Sequence, residues 1–111
     1  MEIAEQHAGE ITVVEIKGRI DSNTAKAFGE RLTGLIRDGR TRVVVDFKQI
    51  MYISSAGFRA LLVAGKLADE TNGTLALCEL SVEVQRLFDL GAFTDLFTIY
   101  PSRDESIAKL S

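Results

Sequence analysis

Ile50-Met51-Tyr52-Ile53-Ser54-Ser55-Ala56-Gly57-Phe58-Arg59-Ala60-Leu61-Leu62 sets the frame for the rest of the chain. Its first four residues are apolar or aromatic and read as a buried strand. Two serines interrupt the run, and Phe58, Leu61 and Leu62 resume it at helical spacing. The segment therefore leaves the core through a short polar turn and re-enters it as a helix beginning at Ser55. The first amides of a helix lack intrahelical acceptors. Capping one of them is the commonest use of a serine hydroxyl at such a place. The same amides, with the positive end of the helix dipole, also favour an anion. The turn is thus a candidate phosphorylation site.

Towards the N-terminus, Arg42-Val43-Val44-Val45-Asp46-Phe47 is β-branched without alternation, as expected of a strand covered on both faces. Before it, Ala25, Phe28, Leu32, Leu35 and Ile36 recur at helical spacing and stop near Gly39. Gly18 to Thr24 reads as a polar loop with several N-cap residues. Glu2–Gln6 and Ile11–Ile16 read as a hairpin, with His7 and Gly9 in its turn. Towards the C-terminus, the helix from Ser55 runs to Thr71 and stops at Asn72-Gly73. Thr74–Cys78 is an internal strand. Ser81 caps a helix to Leu90 that turns Val84, Leu87 and Phe88 inward. Phe97–Tyr100 is a last strand, and a terminal helix follows with Ile107 and Leu110 inward.

The order is ββαβαβαβα. Strands alternating with helices predict an α/β fold with right-handed crossovers. The sheet is mixed but mostly parallel, with four to five strands, an antiparallel N-terminal edge and about four helices. At 111 residues, with neither repeat nor linker, the chain is expected to be a single domain over 1–111.

Composition narrows the function. The net charge is −3 with no basic block, which argues against nucleic acid. The longest apolar run, Ala60 to Ala64, is too short for membrane insertion. The acidic, polar N-terminus lacks the pattern of a signal peptide, so a cytoplasmic location is expected. Cys78 is the only cysteine and reads as a buried strand thiol. His7 is the only histidine, a poor basis for a metal site. There is no Ser-His-Asp set, no paired carboxylates in a cleft-like context and no phosphate loop. Neither an enzyme nor a cofactor is expected.

On a helical wheel Ser55, Arg59, Lys66 and Glu70 fall within about 60° of one another and form a polar stripe. Leu61, Ala64 and Ala68 lie opposite, in the core. Leu62 and Val63 flank the stripe, either covered by neighbouring elements or bordering a partner surface. Arg59 is one turn after Ser55, and helical side chains lean towards the N-terminus. Arg59 is therefore expected to pair with a phosphate on Ser55.

These residues carry a resemblance. Asp46-Phe47 with Ile50 to Leu62 resembles the central motif of the STAS superfamily, most closely its stand-alone bacterial anti-sigma-factor antagonists. Gly18-Arg19-Ile20-Asp21 with Thr24-Ala25 resembles that family's early loop, and Cys78 to Gly91 its late helix. The resemblance covers nearly the whole chain and keeps the element order derived above.

It implies a switch with no catalysis of its own. The dephosphorylated antagonist binds an anti-sigma factor that is also a serine kinase, and this frees the sigma factor. The kinase phosphorylates a serine at the start of the second helix and ejects the antagonist. A metal-dependent serine phosphatase restores it. Ser55, two residues before Gly57, matches the modified serine. Ser54 stands where the family often has Asp and is the alternative acceptor. Asp21 matches an acidic residue beside the phosphosite, although helix capping explains it equally well. Ala56 stands where a second hydroxyl residue often occurs, and Gly57 is expected to admit a partner's backbone. The partner-binding set is therefore Asp21, Ser54, Ala56, Gly57, Arg59, Leu62 and Val63. The alternative is a constitutive STAS scaffold in a transporter or stress-signalling complex, bound stably and without a phosphate switch.

Overall fold

Alternation of short β-rich and amphipathic segments produces one sheet with helices on both faces. The computed structural model describes residues 1–111. Its elements are β1 (Glu2–Ala8), β2 (Ile11–Ile20), α1 (Ala25–Arg37), β3 (Arg42–Ile53), α2 (Ser55–Glu70), β4 (Thr74–Cys78), α3 (Val82–Leu90), β5 (Thr98–Tyr100) and α4 (Arg103–Leu110). A 3-10 turn at Thr94–Leu96 precedes β5. The strands lie side by side in chain order, β1-β2-β3-β4-β5. β1 is antiparallel to β2, and every other neighbouring pair is parallel. This is the α/β architecture expected from the sequence.

Strand alternation divides the core between two faces. Val14, Ile16, Val43, Val45, Phe47, Leu75 and Leu77 pack with the inward sides of α1, α2 and α3. Ile11, Val13, Val44, Ala76 and Cys78 form a smaller cluster with Tyr100, Ile107 and Leu110 under α4. Two-sided cover explains the unbroken apolar run of β3.

Three boundaries differ from the sequence reading. β1 continues through His7, so the hairpin turn is tighter and His7 is an exposed strand residue. β2 continues past Ile16 to Ile20, through Gly18 at φ 114°. β3 is one strand from Arg42 to Ile53. It carries two irregularities against β2. Glu15 pairs with Asp46 but Gly18 with Ile50, and Arg19 then pairs with Tyr52. Each shift inserts a residue into β3, as a bulge does. Phe47, Ile50 and Ile53 consequently all face the core at a spacing of three.

Candidate functional site

Parallel pairing of Ile20 with Ile53 brings the end of β2 beside the serine turn. The Ser54 N–H donates to the Ile20 carbonyl at 2.8 Å, one step beyond the strand. Ser54 has extended backbone angles, φ −86° and ψ 173°, and is the N-cap of α2. Its Oγ accepts from the Gly57 N–H at 3.3 Å, and its carbonyl accepts the first helical bond from Phe58 N–H at 3.0 Å. Ser55 is the first helical residue, exposed and outside the capping bond. The amides of Ser55 and Ala56 precede the first intrahelical bond and have no acceptor within the helix. The two serines are thus chemically alike but differently occupied.

Phe58 anchors this turn from below. It stacks on Phe93 with centroids 4.4 Å apart and meets the edge of Phe88 at 4.7 Å. Gly57 is buried against Ile53 and Ile20. A Cβ there would lie 2.6 Å from Ile53 Cγ1 and 2.7 Å from Ile20 Cγ2. The missing side chain of Gly57 therefore makes room for two core isoleucines.

Asp21 follows Ile20 directly and organises the loop beside the turn. Its Oδ1 accepts from the N–H groups of Asn23 at 2.9 Å and Thr24 at 3.2 Å, and from Thr24 Oγ1 at 3.3 Å. Its carbonyl accepts from Ala25 N–H at 2.9 Å. The Asn23 amide bond, against some desolvation and with help from Thr24 and the Arg19 charge, holds its carboxyl below the ordinary 3.8. Asp21 thus caps the turn that leads into α1.

The polar stripe of α2 is as the wheel gave it. Ser55, Arg59, Lys66 and Glu70 are exposed, and Leu61, Ala64 and Ala68 are buried. Arg59 takes part in no ion pair. The two flanking apolar residues part company. Leu62 is half-buried on the side of Leu75 and Phe97, whereas Val63 is 57% exposed on the side of α1. Ala56, Arg59, Ala60 and Val63 of α2 form a shallow groove with Ala25 and Lys26 of α1.

Two features next to the site were not read from the sequence. Met51 is 75% exposed, and the Arg19 guanidinium lies 4.6 Å from the Tyr52 ring centroid. Both depend on the bulges of β3, which reverse its inside–outside alternation. The apolar spacing of three over Phe47, Ile50 and Ile53 was the available signal.

Known proteins share this fold. The STAS domain model matches residues 2–106, and the chain belongs to that family. BtrV of Bordetella bronchiseptica, a candidate anti-sigma factor antagonist, is 33% identical over 93 residues, covering 84% of this chain and 80% of BtrV. The crystal structure of a candidate anti-sigma factor antagonist from Thermotoga maritima superposes with a TM-score of 0.91 at 14% identity, covering 97% of this chain and 93% of that one. The Bacillus cell fate determinant SpoIIAA in its phosphorylated form gives a TM-score of 0.74 at 15% identity, covering 99% and 100% of the two chains. No helix is long and apolar enough to cross a membrane.

Proposed function

We propose that this chain is an anti-sigma-factor antagonist gated by a phosphate on Ser55. The unphosphorylated form binds an anti-sigma factor that is also a serine kinase, and so releases the sigma factor. Phosphorylation of Ser55 abolishes that binding, and a serine phosphatase reverses it. The observation that carries the reading is the division of labour at the turn: Ser54 caps α2, while the Ser55 hydroxyl is exposed at its first position. The names of the curated relatives supply the partner class.

The physics of the turn fits a reversible anion. Uncommitted amides and the helix dipole favour negative charge at the start of α2. A phosphate adds about −1.5 to −2 charges. It would leave the buried residues of α2 in place while changing the face a partner meets. Arg59, free of any carboxylate one turn away, pairs with the phosphate in this reading.

The test is incubation with ATP and an anti-sigma factor kinase from the same organism, followed by mass mapping. Phosphate at Ser55 is expected. Ser55→Ala keeps binding to the kinase, and Ser55→Asp weakens it, short of the full effect because aspartate carries less charge. Equal affinity of the phosphorylated and unphosphorylated proteins for the kinase would sink the switch.

A further inference from the structure

The groove between α1 and α2 begins where the serine turn ends. Ala56, the neighbour of Ser55, lies at one end, and Ala25, Ala60 and Val63 continue its apolar lining. The helices approach closely here: a Cβ on Gly29 would lie 3.2 Å from that of Ala60. Small residues on both helices keep the groove shallow and continuous. Its volume is about 230 Å³. That is below the roughly 300–1,000 Å³ of small-molecule sites, so it suits a protein side chain better than a metabolite.

The rim has one sign of charge. Arg59 and Lys26 border the groove. Lys26 reaches Glu30 only at 4.0 Å, with both side chains well exposed, and Arg59 has no ionic partner. Across the serine turn, Arg19 lies over a ring and makes no direct ion pair, its nearest acidic influence being on Asp21. A chain of net charge −3 thus presents cations beside Val63, an exposed valine of α2. Exposed single apolar residues are ordinary. Val63 differs because it lies in one groove with an unpaired arginine and ends at the candidate acceptor serine.

We propose that this groove docks an acidic, apolar-tipped segment of the anti-sigma factor, with an aliphatic side chain over Ala60 and Val63 and a carboxylate on Arg59. The proposal rests on the function proposed above and adds a mechanism of ejection. Arg59 borders the groove and lies one turn after Ser55, so a phosphate there would compete with the docking carboxylate for it. A phosphate on Ser55 takes Arg59 into an intramolecular pair and sets its own charge against the incoming carboxylate. Binding is lost because the docking cation is occupied and the rim changes sign, with no rearrangement of the core.

The experiment measures the affinity of the purified anti-sigma factor kinase that phosphorylates this chain for the wild-type chain, Arg59→Ala, Val63→Glu and the distal control Lys109→Ala. Each is made with Ser55 unmodified, and the wild type and Arg59→Ala also with genetically encoded phosphoserine at position 55. Circular dichroism verifies folding, which substitutions at exposed positions should spare. Each groove variant is expected to weaken binding about 10-fold, as loss of a good interface contact does, while Lys109→Ala binds as wild type. Arg59→Ala should also flatten the salt dependence of binding, since a rim charge acts through screened attraction. In the phosphorylated protein, Arg59→Ala should raise the second phosphate pKa seen by phosphorus NMR.

Wild-type affinity in both groove variants, with phosphoserine still blocking binding, overturns the groove and leaves the switch standing. Phosphoserine without effect, with both groove variants weakened, overturns the switch and supports the groove. A dimer of this chain that Val63→Glu dissociates makes the groove a self-interface and overturns the proposal.

Discussion

The Ser54 hydroxyl accepts from the Gly57 amide at 3.3 Å, and Ser54→Ala removes that bond. Loss of an N-cap costs about 1 kcal/mol, whereas an exposed substitution without such a bond stays within about 0.5 kcal/mol. Urea unfolding should therefore separate Ser54→Ala from Ser55→Ala, with only the former shifting the midpoint. Gly57→Ala should cost more, about 1–3 kcal/mol, the usual range for overpacking. Its new Cβ meets Ile53 and Ile20 at under 3 Å, and both are fully buried. The serines, the glycine and the helix start are all visible in the sequence. Which serine caps was not, because that depends on Ser54 N–H reaching the Ile20 carbonyl from another strand.

Helix α4 is held at its start by charge and along its length by apolar contact. Arg103 reaches Asp46 at 3.2 Å, Glu15 at 3.4 Å and the Gln6 side chain at 2.7 Å. Its N–H donates to Glu79 at 2.8 Å. Asp46 is buried, so removing the guanidinium strands a carboxylate that keeps only the Lys48 amide. Breaking a fully buried pair costs about 3–5 kcal/mol. The Arg103 side chain retains 24% exposure, so screening by solvent should bring the cost of Arg103→Ala down to about 2–3 kcal/mol. Cys78 reports on the same element. Burial, then the Asp46 charge, pushes its thiol up to about 12, and it packs with the residues beneath α4. A thiol reagent at pH 8 should leave native Cys78 unmodified and react faster in Arg103→Ala; equal rates would show that α4 stays docked without the arginine.

Across the whole molecule, two carboxylates outside the core link folding to pH. Asn23 and Thr24 hold Asp21 below 3.8, and the hydroxyl of Thr94 followed by the Gln85 amide does the same for Asp89. A carboxyl depressed in the folded state binds its proton more readily in the unfolded one. Its contribution is present above about pH 4 and is lost as pH falls through the folded values. Stability should be flat from neutrality to about pH 5 and decline below it. Asp21→Asn and Asp89→Asn should each reduce the decline, measured as the unfolding midpoint against pH; an unchanged decline would place the acid sensitivity elsewhere.

Local periodicity determined the element order, the mixed sheet, the buried side of each helix and the polar stripe of α2. Those follow from which residues of a repeating pattern can leave water together, a property written along the chain. Tertiary structure decided the rest. Pairing between β2 and β3 set two bulges, and with them the exposure of Met51 and the ring contact of Arg19. The packing of α2 against Ile20 and Ile53 gave Gly57 a place in the core that its spacing does not announce. The juxtaposition of α1 and α2 separated Val63 from Leu62, joining Val63 to a groove with Arg59 and Lys26. Each of these depends on contacts between segments distant in sequence, which no local period encodes.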